Sequence, residues 1–164
     1  MKSGVLSLPF VFIMTLLIIA LVLVFGTKVI RDVISTADLT ELTTFVNQLQ
    51  SNVNTNKGFD VGSNKVIGLN LPRRVKKVCF VNPERELNNF VDEDLISVIR
   101  DNKRDNMYVL PLDAFPAPAP DFQIKDLIVL GDKNPLCFNT NGKLNAVIET
   151  TLYENDVYVG IKNE

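Results

Sequence analysis

The 164 residues contain no histidine and no tryptophan, and only two cysteines. Without histidine the usual general base, the Ser-His-Asp and Cys-His nucleophile pairs and the commonest zinc ligand are all missing. Two cysteines allow one disulfide but no cysteine-rich metal centre. Surplus positive charge is also lacking: 17 Lys and Arg stand against 19 Asp and Glu, a formal net charge of -2. A general nucleic-acid binder draws its affinity from surplus cations, so that class is excluded as a first reading. The patterns G-x-x-x-x-G-K, G-x-G-x-x-G, G-x-S-x-G and N-x-[ST] are absent. Asp92-Glu93-Asp94 lacks the alternate spacing and the glycine of a calcium loop and reads as a solvated helix face. No cofactor site, metal site or small-molecule substrate is legible, and no enzyme is expected.

What is present is concentrated at one end. From Val5 to Phe25, 18 of 21 residues are hydrophobic, interrupted only by Ser7, Pro9 and Thr15. At about 1.5 Å per residue a helix of that length crosses a hydrocarbon core of roughly 30 Å. Pro9 sits near the start, where a helix tolerates it. The alternative, a cleaved secretory signal, normally has a shorter apolar core and a small-residue cleavage site, and no A-x-A follows here. The expectation is a retained anchor over residues 1–28, in contact with membrane lipid. Lys2 lies on one side, Lys28 and Arg31 on the other, so the positive-inside rule discriminates little. The cysteine pair suits an oxidising exterior, which places the short end inside and residues 29–164 outside.

Beyond Lys28 the pattern becomes amphipathic. Val29, Ile30, Val33, Ile34 and Ala37 recur at helical spacing, then Leu39, Leu42, Val46, Leu49 and Val53 follow at intervals of 3, 4, 3 and 4. No glycine or proline occurs between Thr27 and Lys57. A helical stalk over 29–57 is expected, nearly collinear with the anchor, ending in the Asn-rich stretch before Gly58. Its second seam has two readings: packing on its own domain, or meeting the same helix of another subunit.

Residues 58–164 predict a β-rich domain, long enough for its own core. Strand patterns cover 65–71, 75–81, 107–112, 122–130, 136–140, 144–153 and 157–162, with one helical stripe over 86–100. Phe115 to Pro120, with three prolines, predicts a stiff extended connection. Asn141-Gly142 predicts a type I′ hairpin turn. The fold class is α+β: a long N-terminal transmembrane and amphipathic helix, then a mainly antiparallel β domain with one short helix.

Cys79 and Cys137 each stand between bulky apolar residues, in Val78-Cys79-Phe80 and Leu136-Cys137-Phe138. They read as a disulfide in an extracytoplasmic domain, with two buried thiols as the alternative. Arg73, Arg74, Lys76 and Lys77 form the densest positive run. It reads as a contact patch for an anionic surface, or as charge protecting an exposed or edge strand from aggregation.

The N-terminus resembles that of type IV pilin-like proteins, archaeal ones with class III signal peptides in particular. Lys2-Ser3-Gly4, the apolar stretch that follows at once and the long amphipathic helix carry this, and Ser7 and Pro9 match the Ser-Pro common there. Only one basic residue precedes Gly4, and Pro9 stands where bacterial pilins carry an acidic residue. The remainder is similar to small membrane-anchored archaeal proteins, on Val78-Cys79-Phe80-Val81 and Cys137-Phe138. The resemblance implies a signal at 1–4 cut between Gly4 and Val5, and a homo-oligomer or filament held by the N-terminal helix. The expected function is a structural or adhesive surface subunit, with a non-assembling binding or accessory module as the alternative.

Overall fold

In a computed structural model, residues 8–89, 93–115 and 122–163 are described. The candidate processing site Gly4-Val5, Asp92 of the acidic cluster and Pro116–Pro120 of the proline-rich connection lie outside them. One helix, α1, runs from Leu8 to Lys57. It is followed by β1 (Asn64–Asn70), β2 (Lys77–Phe80), α2 (Glu93–Asp101), β3 (Met107–Leu110), β4 (Leu127–Val129), β5 (Leu136–Asn139), β6 (Lys143–Tyr153) and β7 (Asp156–Lys162). The chain divides into two compact units, Met1–Ala37 and Asp38–Glu164. The division falls inside the stretch read above as a stalk, and residues 38–57 belong to the head.

The first unit, where described, is helix alone. Every large apolar side chain from Phe10 to Phe25 is between 44 and 67% exposed. Val29, Ile30, Val33 and Ile34 are exposed as well.

Among the described residues the head has two sheets. One is ordered β1-β6-β7-β4, the other β3-β2-β5. All pairings are antiparallel except β4 with β7, which is parallel. Period-two alternation sends Ile67 and Leu69 of β1 and Leu144, Ala146 and Ile148 of β6 inward, and Val66 outward. These meet Val78, Phe80, Met107, Val109, Leu136 and Phe138 of the second sheet in one core. Leu42, Phe45, Leu49 and Val53 of α1 are fully buried in the same core, with Leu39 and Val46 packed at its margin. The second seam of the helix therefore closes on its own domain. The intersubunit alternative falls for Leu42, Leu49 and Val53, whose side chains have no exposed surface to offer a neighbour, while Leu39 and Val46 keep part of theirs.

The other face of β2 and β3 forms a smaller cluster in which Cys79, Val81, Tyr108 and Leu110 are covered by Leu95 and Ile99 of α2. The helix is shorter than its apolar stripe: residues 86–89 are not helical. Asn88 and Asn89 instead donate their backbone N–H groups to the carbonyl of Asn134 at 2.8 and 3.1 Å.

Two expectations about turns and strands are corrected. Asn141-Gly142 joins β5 to β6, which lie in different sheets, so it makes no hairpin. Gly142 alone of the two has positive φ, at 76°. The type I′ turn stands at Glu154-Asn155, with φ of 50° and 71°, where Tyr153 pairs Asp156 across a two-residue loop. The basic run does not decorate an edge strand. Only Lys77 of the four belongs to β2, and β2 is the central strand of its sheet.

Candidate functional site

The membrane-facing candidate is built from the sequence outward. Alternating or striped patterns mark elements with one dry face; a run apolar on every side marks an element with no wet face. Phe10 to Phe25 is of the second kind, and the fold leaves it bare. Among the described residues one helix is long and apolar enough to cross a membrane, and it lies near the N-terminus. None of its apolar window is buried by protein. A soluble core helix of this composition would be covered, since exposed apolar patches of this extent are rare on soluble proteins. Thr15 and Thr27 return their hydroxyl protons to the carbonyls of Val11 and Val24, at 2.8 and 3.0 Å, so neither presents an unsatisfied donor.

The cysteines meet as expected. Cys79 and Cys137 are direct cross-strand partners in the β2–β5 ladder and form a disulfide. Their Cα atoms are 4.0 Å apart. Cys79 is fully buried under α2, and Cys137 is half-buried beside it. The flanking residues of both, Val78 and Phe80, Leu136 and Phe138, alternate into the main core, and the Phe80 and Phe138 rings pack edge to face at 5.8 Å. The apolar-Cys-Phe echo is thus one cross-strand patch seen from two chain positions.

The basic run is taken apart by the fold. Arg74 pairs with Asp38 at 2.8 Å, which ties the start of the head's portion of α1 to the segment before β2. Lys76 donates to the Arg73 carbonyl at 3.2 Å. Lys76 and Lys77 line an open groove of about 590 Å³ whose other walls are Asp94, Leu110, Pro111, Leu112 and Asp113. Two cations and two carboxylates therefore share its lining with three apolar residues. Such a groove suits a partner carrying both signs of charge better than a polyanion.

A second cavity, of about 270 Å³, was not legible beforehand. It is lined by Val98, Asn102, Asp105, Tyr108, Val109, Leu112, Phe115 and Phe122. Its residues come from a helix, a strand and two loops, so no local pattern announces it. The Tyr108 hydroxyl donates to the Asn102 carbonyl at 2.8 Å. Burial, and secondarily the charge of Asp105, pushes the Tyr108 phenol up to about 12. Near neutral pH it is a hydrogen-bond donor and not a nucleophile. Among the described residues no group of three or more Cys, Asp or Glu side chains is placed to hold a metal ion.

Compared with protein-family models, with curated proteins and with solved structures, the chain matches none.

Proposed function

We propose that this chain is a single-pass membrane protein whose β-rich head stands outside the cytoplasm as a structural or adhesive surface subunit of pilin-like build. The observation that supports it best is the bare apolar face of α1 from Phe10 to Phe25, continuous in one helix with residues that enter the head's core. A lipid bilayer is the solvent that such a face requires. The disulfide supports the outward orientation, because reducing compartments do not maintain such bonds. The resemblance of Lys2-Ser3-Gly4 and the apolar run to pilin-like N-termini supports the architecture.

A second reading is a non-assembling anchored module that binds a ligand or accessory partner, and the groove beside Lys76 and Lys77 favours it. Two measurements test the proposal. Protease added to intact cells digests an outward head and spares an inward one. Electron microscopy of material sheared from the same cells, labelled with antibody to the head, shows assemblies for a surface subunit. An anchored head with no sheared assemblies leaves the module reading.

A further inference from the structure

We propose that the free edge of β1 takes an extended acidic segment of another protein, which adds a strand to the sheet and sets a carboxylate against Lys143. The site lies within the head and goes beyond the anchored-subunit reading, on which it does not depend. β1 is the outermost strand of its sheet. At one end of its ladder Leu71 donates its N–H to the Gly142 carbonyl at 2.9 Å, and at the other Ser63 accepts from the Thr150 N–H at 3.0 Å. Odd-numbered residues thus bond to β6, and the N–H and C=O groups of Asn64, Val66, Gly68 and Asn70 point the other way. Among the described residues nothing pairs with those groups, and all four residues are exposed. A row of alternating donors and acceptors at strand spacing is matched by the edge of another extended peptide.

The other edge strands are short, and one is already met. β3, β4 and β5 have 4, 3 and 4 residues, against 7 in β1. On the free side of β3 the Met107 N–H donates to the Phe122 carbonyl at 3.1 Å. β1 has no proline, and its single charged residue, Lys65, turns its ammonium to Asn52 Oδ1 at 2.8 Å. Among the described residues the longest edge strand of the head is thus the least guarded against strand addition.

Charge complementarity selects the occupant. The Lys143 side chain of β6 lies across Gly68, its Cε and Nζ 2.8 and 3.1 Å from where a Cβ would stand. The missing side chain lets a cation reach over the edge strand from the strand behind it. Among the described residues Lys143 joins no ion pair, whereas Glu149, the carboxylate on the same face of β6, is held by Lys162. Neighbouring strands lie about 4.8 Å apart, so a residue opposite Gly68 on an added strand falls within reach of the Lys143 ammonium. Two residues along, Val66 is 64% exposed and pairs with Val147. The matching segment therefore carries an Asp or Glu and a branched aliphatic side chain two residues apart. β1 of a second copy does not supply this. Asn64–Asn70 contains no Asp or Glu, so pairing β1 with itself offers Lys143 of either copy no counter-charge from the added strand.

The test uses the full chain in detergent micelles. The probe is a fluorescein-labelled peptide of alternating threonine and valine with a glutamate in place of its central valine, and fluorescence anisotropy reads its binding. The glutamate peptide should bind, the same peptide with lysine there should bind about fivefold more weakly, and Lys143→Glu should reverse the preference. Val66→Pro removes an N–H that lies outside the β6 ladder, so it should lower affinity about tenfold and leave the head's melting in place. No binding of the glutamate peptide overturns the site. Equal binding by that peptide N-methylated along its backbone overturns strand addition, and this holds even where Val66→Pro fails to fold. An unchanged preference in Lys143→Glu overturns the carboxylate. A dimer of the full chain by light scattering, separated by Val66→Pro, overturns the other protein as occupant in favour of a second copy.

Discussion

The side-chain amide of Asn134 pairs with both backbone groups of Asn82, accepting from its N–H at 2.9 Å and donating to its carbonyl at 2.9 Å. It occupies the place of a neighbouring strand without being one. The same amide also donates to the carbonyls of Arg85 and Glu86, at 3.0 and 3.2 Å. Asn88 returns the arrangement, accepting from the Asn134 N–H at 2.7 Å and donating its own amide to the Asp132 carbonyl. The segment between β2 and α2 is thereby pinned to the turn before β5 by polar contacts.

Replacing Asn134 tests this pin. The residue is fully buried, so Asn134→Ala strands several backbone groups without partners. Each unsatisfied buried group costs about 1–3 kcal/mol. With partial rescue by water, we expect a loss of about 2–4 kcal/mol in total, read as a lowered melting temperature of the head's signal in the full chain. A change under about 0.5 kcal/mol, the usual range for surface positions, removes the pin.

The disulfide closes a loop with sequence separation 58. In the chain-entropy model that contributes about 4 kcal/mol. The double variant Cys79→Ser with Cys137→Ser should melt well below the parent, and the parent treated with reductant should approach it. In denaturant without reductant, a maleimide reagent should label neither cysteine. Labelling of both under those conditions contradicts the bridge.

The seam inside the head gives a contrast along one helix. Phe45 and Leu42 are fully buried and Val33 is 61% exposed. Phe45→Ala should cost about 3–5 kcal/mol through lost burial and the cavity left behind. Leu42→Asp with Val46→Asp should unfold the head outright or leave it marginal. Val33→Asp should leave the head's melting unchanged. Equal effects on melting from positions 33 and 42 would place both seams in one core, against the exposures found.

Tyr108 supplies a pH dependence with a definite sign. Its phenol is raised to about 12, chiefly by burial and then by Asp105, whereas an unfolded tyrosine ionises near 10. The folded state therefore favours the neutral form. Its contribution is fully present below about pH 10 and is lost as pH rises from about 10 to 12. Tyrosinate absorbance should show one of the three tyrosines ionising late, together with the loss of fold. In Tyr108→Phe the fall in stability over that range should flatten. A slope unchanged in that variant assigns the alkaline transition to other groups.

The long helix, the order of seven strands and the disulfide were legible because each rests on local or paired patterns. An apolar run, a 3-4 spacing and a period of two survive in sequence without knowledge of the neighbours. Phe45 was missed on the buried face of α1 because the heptad template takes one residue per turn, whereas a helix packed on two sheets buries a wider stripe. Helix α2 was read too long because Leu87 fits its apolar stripe, while the backbone N–H groups of Asn88 and Asn89 were taken by Asn134, 46 and 45 residues away. A polar competitor at that distance has no local signature.

By itself the sequence determined that residues 8–25 have no wet face and that the cysteines lie in matched apolar settings. Both follow from the kind of side chain at each position, which the fold does not alter. Only the tertiary structure decided which of the two apolar stripes beyond Lys28 is a core. It also decided that Asn141-Gly142 passes between sheets while Glu154-Asn155 makes the tight hairpin, and that Arg74 is paired while Lys76 and Lys77 line a groove. Spacing specifies that a helix face or a turn requires a partner or a conformation. Which partner arrives is settled by burial summed over the whole head, where Leu42, Leu49 and Val53 join the core that both sheets share and Ile30 and Val33 stay exposed.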